Sequence, residues 1–172
     1  MLRPFLALLA FLFAVPAAAQ ELRLVESWPA GAWLTASMQN LTYDRRFCAA
    51  ETTSANDQVF RVVLYEDDDA FIEVLDPAWE YPGGEPLEFI LVIDRDEWKV
   101  TGQGWPGAMT YDLIDPTDRD RLLAALSTGR KLDIRKLNRS RVAQFSLDGA
   151  GQAISSALAC WDAERAGGDY KP

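Results

Sequence analysis

A chain of 172 residues with 26 acidic and 17 basic side chains has a net charge of −9, and it contains no histidine. That field repels duplex nucleic acid and anionic lipid surfaces, so no nucleic-acid partner is expected. The missing imidazole removes Ser-His-Asp and Cys-His nucleophiles and nearly every zinc or copper site, leaving carboxylate, Lys or Tyr chemistry and calcium-type oxygen coordination.

Residues 1–19 read as a signal peptide. Arg3 supplies the charged start, Phe5 to Val15 the apolar stretch, and Pro16 to Ala19 a small-residue cleavage site before Gln20. The apolar stretch is too short to span a bilayer, which needs about 20 residues. Residues 20–172 then form a single globular domain with no integral membrane segment after cleavage, placed in the periplasm or secreted. An exported chain with only two cysteines predicts a disulfide between Cys48 and Cys160, two buried free thiols being the alternative. With no histidine to generate a thiolate, neither sulfur is a nucleophile candidate.

Taken in order, residues 20–28, 33–42 and 43–53 have weakly alternating strand character, and 54–58 are turn formers. Val59 to Leu75 reads as a hairpin with the acidic tip Glu66-Asp67-Asp68-Asp69. Asp76 to Pro86, with three prolines and two glycines, predicts a loop. Residues 87–93 and 98–101 form a second hairpin, 102–107 a further loop, and 108–114 another strand. Asp115 caps a helix whose stripe is Leu122, Leu123 and Leu126, and Gly129 stops it. Lys131 to Leu137 alternates as a half-buried strand, and Val142 to Leu147 returns. The last helix, 149–164, places Ala150, Ile154, Ala157, Leu158 and Trp161 on one face with Ala153 and Cys160 at its edge. The fold class that follows is mainly β: an antiparallel β-sandwich or open barrel with two helices late in the chain.

Leu91-Val92-Ile93-Asp94, the helix Arg121 to Leu126 followed by Gly129, the strand Lys131 to Ile134, and Phe145 to Gly149 leading into Ala153-Ile154 together resemble the invasion-associated locus B family. Its members are small exported β-rich proteins of Gram-negative bacteria, so the resemblance implies a β-rich fold in the cell envelope. The chain departs from the family between the strand and the first helix, where residues 102–111 stand in place of paired cysteines. No catalytic residue carries over.

Several groups are candidate sites by residue type. Glu66 to Asp69 lacks the spacing and glycine of a calcium loop and reads as a solvated tip, while Asp115, Asp118 and Asp120 read as helix N-terminal acids. Arg45-Arg46 offers an anion contact or a paired strand-edge charge. No metal site and no cofactor is expected. Among 26 acids some pair will always stand at glycosidase spacing, so spacing alone decides nothing. Trp98 and Trp161 fall in core patterns, whereas Trp28-Pro29, Trp79-Glu80-Tyr81-Pro82 and Trp105-Pro106 are aromatic-proline segments. The rings of Trp79, Tyr81 and Trp105 either fold back over the ends of the sandwich or dock a protein or glycan partner in the envelope. The expected function is non-enzymatic binding of an envelope component or partner protein, with a carboxylate-dependent hydrolase of an envelope polymer as the alternative.

Overall fold

The computed structural model describes residues 21–168 and 170; the expected leader, residues 1–19, lies outside them. Ten elements follow one another: β1 (Leu22–Ala30), β2 (Trp33–Asn40), β3 (Arg45–Thr53), β4 (Val59–Tyr65), β5 (Ala70–Ile93), β6 (Asp96–Asp112), α1 (Pro116–Thr128), β7 (Lys131–Lys136), β8 (Arg141–Ser146) and α2 (Ala150–Arg165). All pairings are antiparallel, in the order β1-β2-β3-β4-β5-β7-β8 with β6 against β5. This is the expected antiparallel architecture with two late helices. Its sheet stays open.

The loops expected at 76–86 and 102–107 are instead part of two long strands. The ladder between β5 and β6 skips between Leu75 and Glu80 and again between Glu80 and Glu85. Pro77 and Pro82, which lack an N–H, fall inside those skips, as do Gly83 and the left-handed Gly84. Turn-forming residues therefore bend the ribbon without ending it. Residues 70–75 stay paired to β4, and residues 89–93 pair to β7.

The bend folds the sheet over itself. A Cβ on Gly102 would collide with the carbonyl oxygen of Thr110, eight positions later in the same strand, so only glycine lets β6 double back. Phe60 of β4 then meets Phe145 of β8 across the core, ring centroids 5.6 Å apart. The Trp33 indole N–H donates to the Ser146 carbonyl at 3.0 Å, and the Gln58 amide donates to the Val142 carbonyl at 3.3 Å. These contacts bring β8 near β2 and the β3–β4 turn without closing the ladder.

Helix α1 begins as its sequence dictates, with the Asp115 carboxylate accepting from the Thr117 and Asp118 amides at 2.8 and 3.0 Å. Helix α2 opens at Gly149, whose φ of +92° suits glycine and whose Cβ would strike the Ala30 carbonyl. Its buried face is Ala150, Ala153, Ile154, Ala157, Cys160, Trp161 and Glu164, while Leu158 is half-buried. The small residues let it press on β2 and β3: the Thr35 hydroxyl donates to the Ala153 carbonyl at 3.0 Å. At the far end the Trp161 indole donates to the Tyr65 carbonyl at 2.6 Å, and Cys160 meets Cys48 of β3 at disulfide distance, Cα–Cα 6.0 Å. Trp98, expected in the core, packs against it half-buried under Arg121.

Candidate functional site

The ribbon bend gathers the three aromatic residues singled out by the sequence. Trp79 meets Tyr81 edge-on, with centroids 5.9 Å apart. Tyr81 lies over Gly104, where an added Cβ would stand 2.7 Å from the Tyr81 Cγ and 2.9 Å from a Leu87 methyl. Trp105 packs over Gly83 and Gly84 and donates its indole N–H to the Thr110 hydroxyl at 3.1 Å. Neighbouring strand residues alternate in direction, so Trp105 leaves the ribbon on the face opposite Tyr81. Two rings thus clasp the bend from either side. Trp79 and Tyr81 are half-buried, and Trp105 stays 39 % exposed.

Tyr81 also forms one wall of a groove of about 410 Å³ at the open end of the fold. Leu87, Phe89, Met109, Ile134 and Val142 supply apolar lining, and the β7–β8 turn contributes Lys136, Leu137 and Asn138. The strand pairing explains the assembly: Phe89 stands opposite Lys136 in register, so the end of β7 opens onto the face that carries the core. Burial holds the Tyr81 hydroxyl above its ordinary pKa, with the Glu85 and Asp76 charges adding to the effect, so it is a neutral hydrogen-bonding group. Glu88 at the rim is matched by Lys99 at 3.1 Å. Lys136 makes no ion pair among the described residues. The sequence pointed to Tyr81 but not to Lys136, Leu137 or Asn138, which arrive from some 55 residues away in the chain.

A smaller cavity of about 120 Å³ opens on the other face of β3, β4 and β5, among Phe47, Val63, Tyr65, Phe71 and Glu73. Glu51, Arg61 and Glu73 stand side by side in register, and Arg61 reaches Glu51 at 2.7 Å and Glu73 at 3.1 Å. Burial raises the Glu73 pKa and Glu51 pushes the same way, against the attraction of Arg61. On the outer face of β7 the order is inverted. Asp133 is 1 % exposed and is held by Arg135 at 2.8 Å, Lys131 at 3.3 Å and the Gln144 amide at 2.7 Å. Burial alone would raise its pKa, but these donors together hold it below the usual carboxylate range.

The remaining charged candidates are structural. Arg45 pairs with Asp67 and Asp69 and covers the Tyr65 ring, and Arg165 of α2 pairs with Asp68 at 2.9 Å. The acidic hairpin tip is therefore strapped to β3 and α2. Arg46 reaches the buried Glu164 at 2.9 Å, and the Ser37 hydroxyl donates to the same carboxylate at 3.1 Å. Cys48, Cys160 and Glu164 are close enough together to hold a metal ion, but the two sulfurs face each other at disulfide distance and Arg46 neutralises the acid. Among the described residues no helix is long and apolar enough to cross a membrane. Comparison with protein-family models, curated proteins and solved structures finds no match for this chain.

Proposed function

We propose that this chain is an exported, non-enzymatic protein of the bacterial envelope that binds an envelope component or a partner protein through the ribbon bend that carries Trp79, Tyr81 and Trp105, with Tyr81 at the mouth of the groove. The observation that carries this reading is Tyr81, which walls an apolar groove while Trp105 stays exposed on the same bend. Large amphipathic aromatic side chains are strong anchors for sugars and protein surfaces. Export rests on the N-terminal pattern of residues 1–19 and agrees with the cysteine pair at disulfide distance. Kinship with the invasion-associated locus B family is part of the same proposal.

The alternative, a carboxylate-dependent hydrolase of an envelope polymer, would fall on Glu73, a half-buried acid with a raised pKa beside a cavity. Its geometry is that of a ladder rung, because Arg61 bonds both Glu73 and Glu51. Crosslinking in the periplasm followed by co-purification separates the two readings. Trp105→Ala removes a ring packed on Gly83 and Gly84, so it costs about 1–2 kcal/mol while the chain stays folded, and it loses most of the crosslinked adduct. Undiminished adduct in both Trp105→Ala and Tyr81→Ala ends the binding proposal. Release of soluble polymer fragments that stops in Glu73→Gln would establish the hydrolase instead.

A further inference from the structure

The chain is acidic as a whole, yet residues 130–141 hold Arg130, Lys131, Arg135, Lys136, Arg139 and Arg141 against a single acid, Asp133. Those residues are the β7–β8 hairpin and its approach, one wall of the groove at the mouth. The opposite wall is the ribbon, which carries Asp76, Glu80 and Glu85. The groove therefore lies across a steep local field, negative along the ribbon and positive along the hairpin.

Most of these charges are already matched. Lys131, Arg135 and Arg141 surround Asp133, Arg139 pairs with Glu97, and Lys99 pairs with Glu88. Lys136 is the cation that lines the groove, and it has no ion-pair partner among the described residues. It sits beside Leu137, which is 46 % exposed, and Asn138, whose carboxamide oxygen already accepts from Ser140. Below it the lining is Phe89, Ile134 and Val142. Apolar depth with one uncompensated ammonium at its rim defines an amphiphilic site.

Resting on the binding reading above, we infer that the mouth takes a single-chain amphiphile with one negative charge, a fatty carboxylate. The aliphatic chain lies against Tyr81, Leu87 and Val142, the half-buried apolar side chains of the lining, and the carboxylate meets the Lys136 ammonium. The size of the groove is near the low end for small-ligand sites, roughly 300–1,000 Å³, which suits one chain. One free ammonium balances one charge, which selects a carboxylate over a dianionic phosphate monoester. The acidic ribbon bars the head group from the Tyr81 end and fixes the orientation. The overall negative charge still repels extended anionic surfaces, so a dispersed molecule is bound and a bilayer is not.

The test is calorimetric titration of the purified protein with dodecanoate, dodecanol and dodecyltrimethylammonium, each kept below its aggregation threshold. Wild type binds dodecanoate at one site, dodecanol at least about tenfold more weakly, and the cation not measurably. Lys136→Glu loses at least about tenfold for dodecanoate with dodecanol unchanged, while Lys136→Arg retains binding. Lys136 is exposed, so unchanged thermal unfolding of both variants is expected and serves as the folding control. Absence of dodecanoate binding, equal affinity for the alcohol, or indifference to Lys136→Glu overturns the inference. If dodecanoate fails while the periplasmic adduct still depends on Trp105, the inference falls and the broader binding reading stands. Loss of both removes the mouth as a site.

Discussion

The two halves of the bent sheet are built from the same cross-strand logic with opposite surpluses. In the half formed by β1–β4 and the start of β5, one cation, Arg61, is shared by Glu51 and Glu73. In the half formed by the end of β5, β7 and β8, one acid, Asp133, is shared by Lys131, Arg135 and Arg141. Strand geometry produces both: Arg61 stands directly opposite Glu51 and Glu73 across β3, β4 and β5, whereas Lys131 and Arg135 flank Asp133 two places away along β7, with Gln144 opposite it on β8. The minority charge is the best buried in each case, at 13 % exposure for the Arg61 side chain and 1 % for Asp133. The halves also differ in how they are held. The first is pinned to α2 by the cysteine pair, by the Trp161 indole on the Tyr65 carbonyl and by Arg46 on Glu164. The second depends on the ribbon bend and on Asp94, whose carboxylate accepts from the Arg130 and Lys131 amides at 3.2 Å. A braced half and a hinged half share one core, and the groove opens at the hinge.

Removing the brace should have the largest effect. A Cys48–Cys160 bridge spans a sequence separation of 112 residues, and on the chain-entropy model closing so long a loop contributes up to about 4–5 kcal/mol. Cys160→Ser, or reduction of the wild type, is expected to lower unfolding free energy by an amount of that order in urea titration. Mass spectrometry of the exported protein must find the two thiols oxidised; two free thiols would remove the bridge from the account. Breaking the hinge comes next. Gly102→Ala forces a methyl onto the Thr110 carbonyl and should cost about 3 kcal/mol, whereas Gly83→Ala meets the Trp105 ring at an ordinary 3.6 Å and should stay within about 0.5 kcal/mol. Equal melting temperatures for the two glycine variants would mean that β6 does not double back at Gly102.

What the sequence disclosed divides along the same line. The Asp115 cap, the α2 stripe and the Cys48–Cys160 pairing were legible because each depends on local dihedral preference, helical period or cysteine count. Glu164 was within reach on period alone, three and four places beyond Trp161 and Cys160, but its charge concealed its burial. The bend was not legible. Prolines and glycines at 76–86 signal an interruption, and whether that interruption ends a strand or folds it depends on Gly102 meeting Thr110, a contact that no local pattern encodes. The mouth was half visible for the same reason: Tyr81 announces itself by composition, while Lys136 and Leu137 reach it only through the register of β5 with β7.

The smallest effect sharpens the comparison most, because the two ladders should respond to pH with opposite sign. Glu73 has its pKa raised in the fold, so its favourable contribution is complete below the usual glutamate value and is lost as pH rises through the raised one. Asp133 has its pKa lowered, so its contribution is complete above the usual aspartate value and is lost as pH falls through the lowered one. Stability measured by urea unfolding across a pH series should therefore change on different limbs in the two variants. Glu73→Gln should flatten the decline on the side of rising pH while leaving the acid limb in place, since the amide oxygen can still accept from Arg61. Asp133→Asn should flatten the acid limb, and near neutral pH it should cost more than Glu73→Gln, because it removes the only negative charge among three cations. Both changes should be of the order of 1–2 kcal/mol, the scale of one charged hydrogen-bonded group. If both variants altered the same limb, the surplus of charge would not set the direction, and the two halves would differ only in how they are braced.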